Sequence, residues 1–143
     1  MKKTVAIAGA TGFIGKWFID KYKEEFNIIA LSRNKLKNPQ ENDIEWRQVD
    51  LYSISSTTKA LENVDVGIYL VHSMQPSTRM NQGSFEDTDI LLADNFSRAA
   101  QHCELEQIIY VGGILPKDDF KISKHLRSRY EVEKTLGSGS TPL

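Results

Sequence analysis

Residues 9–15 read Gly-Ala-Thr-Gly-Phe-Ile-Gly, and this stretch decides the fold of the chain. It follows a short apolar run at residues 4–8 and precedes an amphipathic segment, a context that predicts a strand, a glycine turn and a helix. Because glycine has no Cβ, such a turn lets the backbone approach a phosphate closely, and the first amides of the helix point at it. The stretch therefore predicts a dinucleotide-binding turn, with a tight strand-to-helix turn that holds no ligand as the alternative.

The same residues argue against a P-loop, which requires the pattern G-x-x-x-x-G-K-[ST]. Read back from Gly15 and Lys16, the first glycine of that pattern falls on Ala10, and the hydroxyl residue falls on Trp17. Nucleoside triphosphate hydrolysis is therefore disfavoured. We expect six residues of the turn to contact a dinucleotide instead: Gly9, Thr11, Gly12, Phe13, Ile14 and Gly15.

The composition fits one domain over residues 1–143, with 40% hydrophobic residues and a net charge of −1. This charge indicates no bulk attraction to nucleic acid or to an anionic membrane, and no apolar run reaches the roughly 18 residues of a membrane span. No signal-peptide pattern precedes the first strand.

The single cysteine, Cys103, has no cysteine partner for a disulfide or metal site, and we interpret it as a buried structural thiol. We expect a cytoplasmic protein without nucleic-acid, membrane or metal partners.

Apolar runs alternate with amphipathic segments along the whole chain. The runs predict five strands, at residues 4–8, 27–31, 44–49, 64–71 and 107–111. The segments between them predict helices that start at residue 13, span 53–62, run from 84 or 85 to about 103, and span about 123–136. This alternation predicts an α/β fold with a doubly wound parallel sheet, helices on both faces and, by analogy with the Rossmann fold, strand order 3-2-1-4-5.

Two of the predicted helices have apolar residues at helical spacing. On the first, we expect one face to pack on the sheet through Phe13, Ile14, Trp17, Phe18, Tyr22 and Phe26. On the long third helix, we expect the buried side to contain Ile90, Leu91, Phe96, Ala99 and Ala100. We expect polar loops at residues 32–39 and 72–83, at the carboxyl ends of strands, where ligands of such sheets bind.

The end of the second strand bears on the choice of cofactor. NAD-binding Rossmann domains usually have an acidic residue there that bonds the ribose 2′-OH, but this chain has Ser32, Arg33 and Asn34. The Arg33 guanidinium suits a 2′-phosphate, Ser32 offers a second donor, and Lys35 and Lys37 add positive charge. The sequence therefore predicts that NADP(H) is preferred to NAD(H), with a solvated basic loop as the alternative.

The spacing and wording of residues 9–15 resemble those of the extended and atypical short-chain dehydrogenase/reductase superfamily, which implies an NAD(P)-binding Rossmann domain. The resemblance also implies that Asp50, followed by Leu51, meets the adenine amino group; an acid that caps the next helix is the alternative. Val71 and His72 end the fourth strand, where they would line the path of the ribose and nicotinamide. A lone histidine such as His72 is also typical of a loop residue held by local hydrogen bonds.

Tyr130 and Lys134 match the Y-x-x-x-K pair of this superfamily in spacing, and they share a helix face. Extended members, however, typically read Y-x-x-S-K-x-x-x-E-x-x-L along this helix. Aligning the final glutamate and leucine puts Arg129 at the lysine position and His125 at the tyrosine position. The resemblance thus implies that Tyr130 and Lys134 match by coincidence and face away from the nicotinamide. His125 and Arg129 can polarise a carbonyl or bind an anionic substrate, or be surface residues of a basic helix start.

Two further positions depart from the superfamily pattern: Gly112 and Gly113 follow the fifth strand where a serine is expected, and Asp89 replaces an asparagine. We therefore assign no catalytic residue and keep two hypotheses, an oxidoreductase or epimerase/dehydratase-like enzyme acting on an unidentified small molecule, and a non-catalytic NADP(H)-sensing regulatory module.

A closer resemblance covers nearly the whole chain. It is carried by residues 69–74, 85–87, 95–100, 109–113 and 125–129, and it is to a bacterial group of NAD(P)H-binding, NmrA-like and epimerase/dehydratase-like proteins. Because members of that group continue well beyond this length, we interpret residues 137–143 as the approach to a sixth strand, with a linker as the alternative. The chain would then be the N-terminal, cofactor-binding part of a longer architecture. An uncovered sheet edge beside the fifth strand would favour a homo-oligomer.

Overall fold

The computed structural model describes residues 1–34, 40–41, 43–72, 85–117 and 122–143, with the backbone alone described at residues 40, 41, 85 and 86. Lys35 and Lys37 and most of the two predicted polar loops lie outside the described residues. The elements, in chain order, are β1 (Thr4–Ala8), α1 (Phe13–Tyr22), β2 (Asn27–Ser32), β3 (Gln40–Glu41), β4 (Ile44–Gln48), α2 (Ile54–Ala60), β5 (Val66–Tyr69), α3 (Phe85–His102), β6 (Gln107–Tyr110) and α4 (Lys124–Leu136).

The described strands form one sheet in the order β3-β4-β2-β1-β5-β6. Strands β4, β2, β1, β5 and β6 are parallel and correspond to the predicted order 3-2-1-4-5, so the predicted fold class is confirmed. The sequence did not predict β3, a two-residue strand that pairs antiparallel with β4 at the sheet edge. Its short length leaves no periodic pattern to detect.

The pairing of the central strand β1 determines which strand ends lie side by side in the sheet. Ile7 pairs with Ala30 of β2 on one side and with Ile68 of β5 on the other. This register brings the carboxyl ends of neighbouring strands together, and the Leu70 amide still donates to the Ala8 carbonyl at 2.9 Å beyond the end of β5. The turn after β1 therefore lies beside the segments that follow β2 and β5, at the point where the chain changes direction in the sheet.

Helices cover both faces of the sheet because successive strand residues point to opposite sides. Val5 and Ile7 of β1 face the cluster that includes Phe18 and Ile19 of α1. Residues on the opposite face of the sheet pack against α2, α3 and α4, and Tyr69 and Phe96 are the largest side chains buried there. The rings of Tyr69 and Phe96 meet edge to face, with their centroids 5.0 Å apart.

Part of the predicted helix packing is wrong. Phe13, Ile14 and Trp17 of α1 are exposed, by 90%, 46% and 52%. Helix α1 packs instead through buried Gly15 and half-buried Phe18. On α3, Leu91 is exposed and its neighbour Leu92 is buried, so the buried side includes the residue next to the one predicted.

The outer edge of β6 is partly covered by the last residues of the chain. The Ile108 amide donates to the Pro142 carbonyl at 2.8 Å, and Thr141 is buried nearby. Ile109 and Val111 remain exposed along the same edge. Within the described parts of the chain, no helix is both long and apolar enough to span a bilayer.

Candidate cofactor site

The turn between β1 and α1 depends on two glycines for its shape. Gly9 has φ of +90°, a conformation that side chains rarely adopt, and a Cβ there would lie 3.0 Å from the backbone of Leu70. A Cβ on Gly15 would lie 2.5 Å from the Gly9 carbonyl oxygen. The turn can therefore pack directly under the first turn of α1 only because both positions lack a side chain.

The amino end of α1 is suited to an anion. Gly12 is the N-cap, it provides no side-chain hydrogen bond to the helix, and no acidic residue occurs in the first turn. The first amides of a helix have no acceptor within the helix, and the helix dipole adds partial positive charge at the same place. Gly12 itself donates to the Gly9 carbonyl at 3.1 Å, which closes the turn and leaves the amides after it facing outward.

A cavity of about 190 Å³ lies between this turn, the carboxyl ends of β5 and β6, and α4. Most of its lining is glycine or apolar, and Tyr110, His72 and Arg129 supply the polar side chains. The lining residues are Gly9, Gly12, Phe13, Ile14, Gly15, Leu70, Val71, His72, Tyr110, Val111 and Arg129.

Tyr110 and Arg129 interact electrostatically across this cavity. Burial raises the pKa of the Tyr110 hydroxyl, the positive charge of Arg129 opposes that shift, and Asp89 and Glu133 reinforce it. Tyr110 is therefore protonated at neutral pH and can donate a hydrogen bond. The sequence analysis did not include Tyr110 in the site. Its position at the carboxyl end of β6 was nevertheless a usable signal, because ligands bind at the carboxyl ends of such strands.

The end of β2 forms a second part of the site. The Ser32 carbonyl accepts from the Val49 amide at 2.8 Å, and the Ser32 hydroxyl oxygen accepts from the Asn34 amide at 3.2 Å. Arg33 is exposed, and its carbonyl accepts from the Gln48 side chain at 3.4 Å. Arg33 lines an open groove of about 600 Å³ together with Arg47, Gln48, Val49, Asp50, Ser56, Lys59, Ala60, Glu62 and Asn63.

Asp50 and Leu51 follow β4 at the same edge. The Asp50 carboxylate accepts from the Tyr52 amide at 3.1 Å, and the Asp50 amide donates to the Ser56 hydroxyl at 3.0 Å. The N-cap of α2 is Ser53, so Asp50 shapes the turn before the helix and is not its cap. Leu51 is buried, and its carbonyl accepts from the buried Asn95 amide at 2.8 Å, which ties this loop to α3.

The structure separates the two registers weighed for α4. Arg129 lines the cavity, whereas Tyr130 is 38% exposed and its ring lies 5.0 Å from the Lys134 ammonium. His125 is exposed and is absent from the cavity wall. Gly113 packs closely on α4, since a Cβ there would collide with the Leu126 side chain.

Two other predicted positions on the long helix and after it are accounted for by local contacts. Buried Asp89 accepts from the Ser128 hydroxyl at 3.3 Å, which joins α3 to α4. Cys103 is half-buried rather than fully buried, and its thiol donates to the Thr58 carbonyl at 3.3 Å. Within the described segments, no three His, Cys, Asp or Glu residues group in a way that could hold a metal ion.

This fold and this glycine turn are those of a Rossmann-type nucleotide-binding domain. A family model described as NAD(P)H-binding matches residues 9–136, which is most of the chain. The chain therefore belongs to the NAD(P)H-binding family, and it is an NAD(P)H-binding domain.

Three known proteins are similar to this chain, one in sequence and two in fold. The auxiliary protein GraX of Staphylococcus aureus is 29% identical over 147 residues, which cover 100% of this chain and 43% of GraX. The triphenylmethane reductase of Citrobacter sp., complexed with NADP(H), has 22% identity and a TM-score of 0.73, with coverage of 94% of this chain and 45% of that one. WbmG of Bordetella bronchiseptica, in complex with NAD, has 11% identity and a TM-score of 0.77, with coverage of 99% and 51%. The chain thus spans about half the length of the proteins it matches.

Proposed function

We propose that this domain binds NADP(H) in preference to NAD(H). The diphosphate lies at the first turn of α1, the adenosine extends along the ends of β2 and β4, and the nicotinamide end enters the cavity beside β5. The residues proposed to contact the cofactor are Gly9, Thr11, Gly12, Phe13, Ile14, Gly15, Ser32, Arg33, Asn34, Asp50, Leu51, Val71 and His72.

The end of β2 is the observation that carries this preference. An acidic residue there would bond the 2′-OH of NAD and repel a 2′-phosphate, and the described residues of this segment are Ser32, Arg33 and Asn34. Arg33 is exposed, and none of the ion pairs between described residues includes it. Because the Ser32 oxygen already accepts from Asn34, its hydroxyl proton is available to a phosphate oxygen.

The test is Arg33→Ala, with affinities for NADPH and NADH measured by calorimetry. A charge-assisted hydrogen bond contributes about 1.5–3 kcal/mol, so we expect NADPH affinity to fall roughly 10- to 100-fold while NADH affinity changes less than about threefold. Arg98→Ala is the matched control, because Arg98 is exposed on α3 and pairs with Asp94. Equal losses for both nucleotides would contradict the proposed preference.

For the role of the bound cofactor, we propose two candidates. The first is hydride transfer between NADPH and a small carbonyl or sugar-like substrate, in an oxidoreductase or epimerase/dehydratase-like reaction. It is supported by the cavity beside the glycine turn, where Tyr110 and Arg129 provide polar groups.

The second candidate is an NADP(H)-sensing regulatory module without turnover. It is supported by Gly112 and Gly113 at the expected serine position, by the place of Tyr130 outside the cavity wall, and by the name of GraX as an auxiliary protein.

One pair of measurements separates these candidates. An enzyme would oxidise NADPH in the presence of some member of a panel of small aldehydes, ketones and nucleotide sugars, and Gly12→Ala would lower that turnover at NADPH concentrations below saturation. A sensor would bind NADPH without oxidising it against the panel, and would bind NADP⁺ and NADPH with different affinities. The matched proteins are about twice as long as this chain, so we propose that it supplies the cofactor-binding part of a longer architecture.

A further inference from the structure

Arg129 is the cationic side chain in the wall of the cavity beside the glycine turn. It lies on the inward side of α4, because the buried residues Val132 and Leu136 follow it at spacings of three and seven. Across the cavity lie the residues that begin α1, Gly12 and Phe13. A permanently charged group thus faces a wall that is mostly glycine and apolar.

No protein carboxylate neutralises this charge within the described residues. The ion pairs there involve Lys3, Arg47 and Arg98, and none includes Arg129. Asp89 and Glu133 lie near enough to influence the pKa of Tyr110, and the Asp89 carboxylate accepts from the Ser128 hydroxyl. A half-buried guanidinium without a carboxylate partner is a binding group for an anion.

We propose that Arg129 binds an oxyanion inside this cavity, with the Tyr110 hydroxyl as a second donor. This inference rests on the proposed NADP(H) function of the site. The guanidinium presents paired donors that match carboxylate and phosphate oxygens. Two sources offer that chemistry: the diphosphate of the dinucleotide and the carboxylate of an acidic substrate held next to the nicotinamide.

The size of the cavity limits where this oxyanion lies. Its volume of about 190 Å³ is below the roughly 300–1,000 Å³ of a pocket for a drug-sized ligand. Because the glycine turn and Arg129 line this one cavity, a group bound at the first turn of α1 shares the cavity with the α4 wall. The helix amides and the Arg129 guanidinium then act on the same or on adjacent oxyanions.

The first arm of the test measures binding of NADPH, NADH and adenosine 2′-monophosphate, which lacks the diphosphate, to the wild type and to Arg129→Gln. If the diphosphate is the oxyanion, the substitution lowers NADPH and NADH affinity by roughly 10- to 100-fold and leaves the adenosine 2′-monophosphate affinity unchanged. Added salt then weakens NADPH binding less in the variant than in the wild type, which a loss of neutral hydrogen bonds would not cause. Arg129→Lys retains the charge, and its NADPH affinity is expected to lie between those of the wild type and Arg129→Gln.

The second arm titrates oxamate, a small carboxylate, into the NADPH complexes of the same proteins. If a substrate carboxylate is the oxyanion, Arg129→Gln abolishes oxamate binding and leaves NADPH affinity within about threefold of wild type. Arg127→Gln is the control in both arms, because Arg127 is exposed on the same helix. Unchanged binding of both NADPH and oxamate in a folded Arg129→Gln variant overturns the inference. A wild type that binds no NADPH would instead refute the proposed function itself.

Discussion

The glycines of the α1 turn allow protein stability and cofactor binding to be separated experimentally. A Cβ at Gly15 would lie 2.5 Å from the Gly9 carbonyl oxygen and 2.8 Å from Ala10 Cα, and both neighbours are backbone atoms that cannot rotate away. Such overpacking typically costs 1–3 kcal/mol. We expect Gly15→Ala to lower the free energy of unfolding by about that amount, and to weaken NADPH binding because the turn must shift.

Gly12→Ala is the contrasting variant. Gly12 has φ of −77° and ψ of 175°, which alanine adopts without strain, and its Cβ would lie 3.4 Å from the Gly9 oxygen, an ordinary contact. Reduced freedom of the unfolded chain stabilises the variant by about 0.4–1 kcal/mol, and the poorer N-cap costs a similar amount. The expected net change in stability is therefore below about 1 kcal/mol. The added methyl group nevertheless occupies the surface that the diphosphate must approach.

The assay combines thermal or urea unfolding with calorimetric titration of NADPH. We expect Gly12→Ala to unfold like the wild type and to bind NADPH at least roughly tenfold more weakly, a loss of about 1.4 kcal/mol. Gly15→Ala should lose both stability and binding. A stable Gly12→Ala variant with wild-type NADPH affinity would refute the assignment of this turn as the diphosphate site.

Three further substitutions or treatments test other parts of the molecule. Asn95→Ala removes the buried donor to the Leu51 carbonyl, and we expect urea unfolding to show a loss of about 1–3 kcal/mol. Tyr130→Phe should leave NADPH affinity and any NADPH turnover within about twofold of wild type, because its hydroxyl belongs to a side chain outside the cavity wall; a collapse of turnover would contradict the register used for α4. Burial raises the pKa of the Cys103 thiol, so less thiolate forms at neutral pH, and alkylation monitored against pH should lag behind that of a free cysteine and accelerate only in more alkaline solution.

Much of the fold could be predicted from the sequence because its signals are local. The apolar runs, the turn glycines and the serine before α2 each act within a few residues, and Ser53 accepts from the Ser56 amide as an N-cap does. Strand β3 could not be predicted, because two residues pair with β4 only once the tertiary structure exists. The exposure of Phe13 and Trp17 was missed because helical periodicity gives the direction of a face, but not how much of that face the rest of the fold covers.

The candidate site also contains some residues that could be predicted from local sequence and one that could not. Gly9, Gly15 and Arg33 lie in continuous stretches next to predicted strands, so their positions followed from the order of elements. Tyr110 lies about 100 residues away from the turn and within a strand, where a tyrosine is usually a packing residue. Only the parallel register of β1, β5 and β6 brings it to the cavity, since Tyr69 pairs with both Ala8 and Tyr110.

On α4, the position of Arg129 tells more about the site than the Y-x-x-x-K spacing of Tyr130 and Lys134. Helix α4 buries Val132 and Leu136, and Arg129, one turn before Val132, is its residue in the cavity wall. The neighbouring tyrosine lies about 100° around the helix, so its lysine partner at i+4 faces outward with it. Spacing within a motif is therefore insufficient to assign a catalytic pair. The position of the motif relative to the buried side of the helix decides which side chain meets the cofactor.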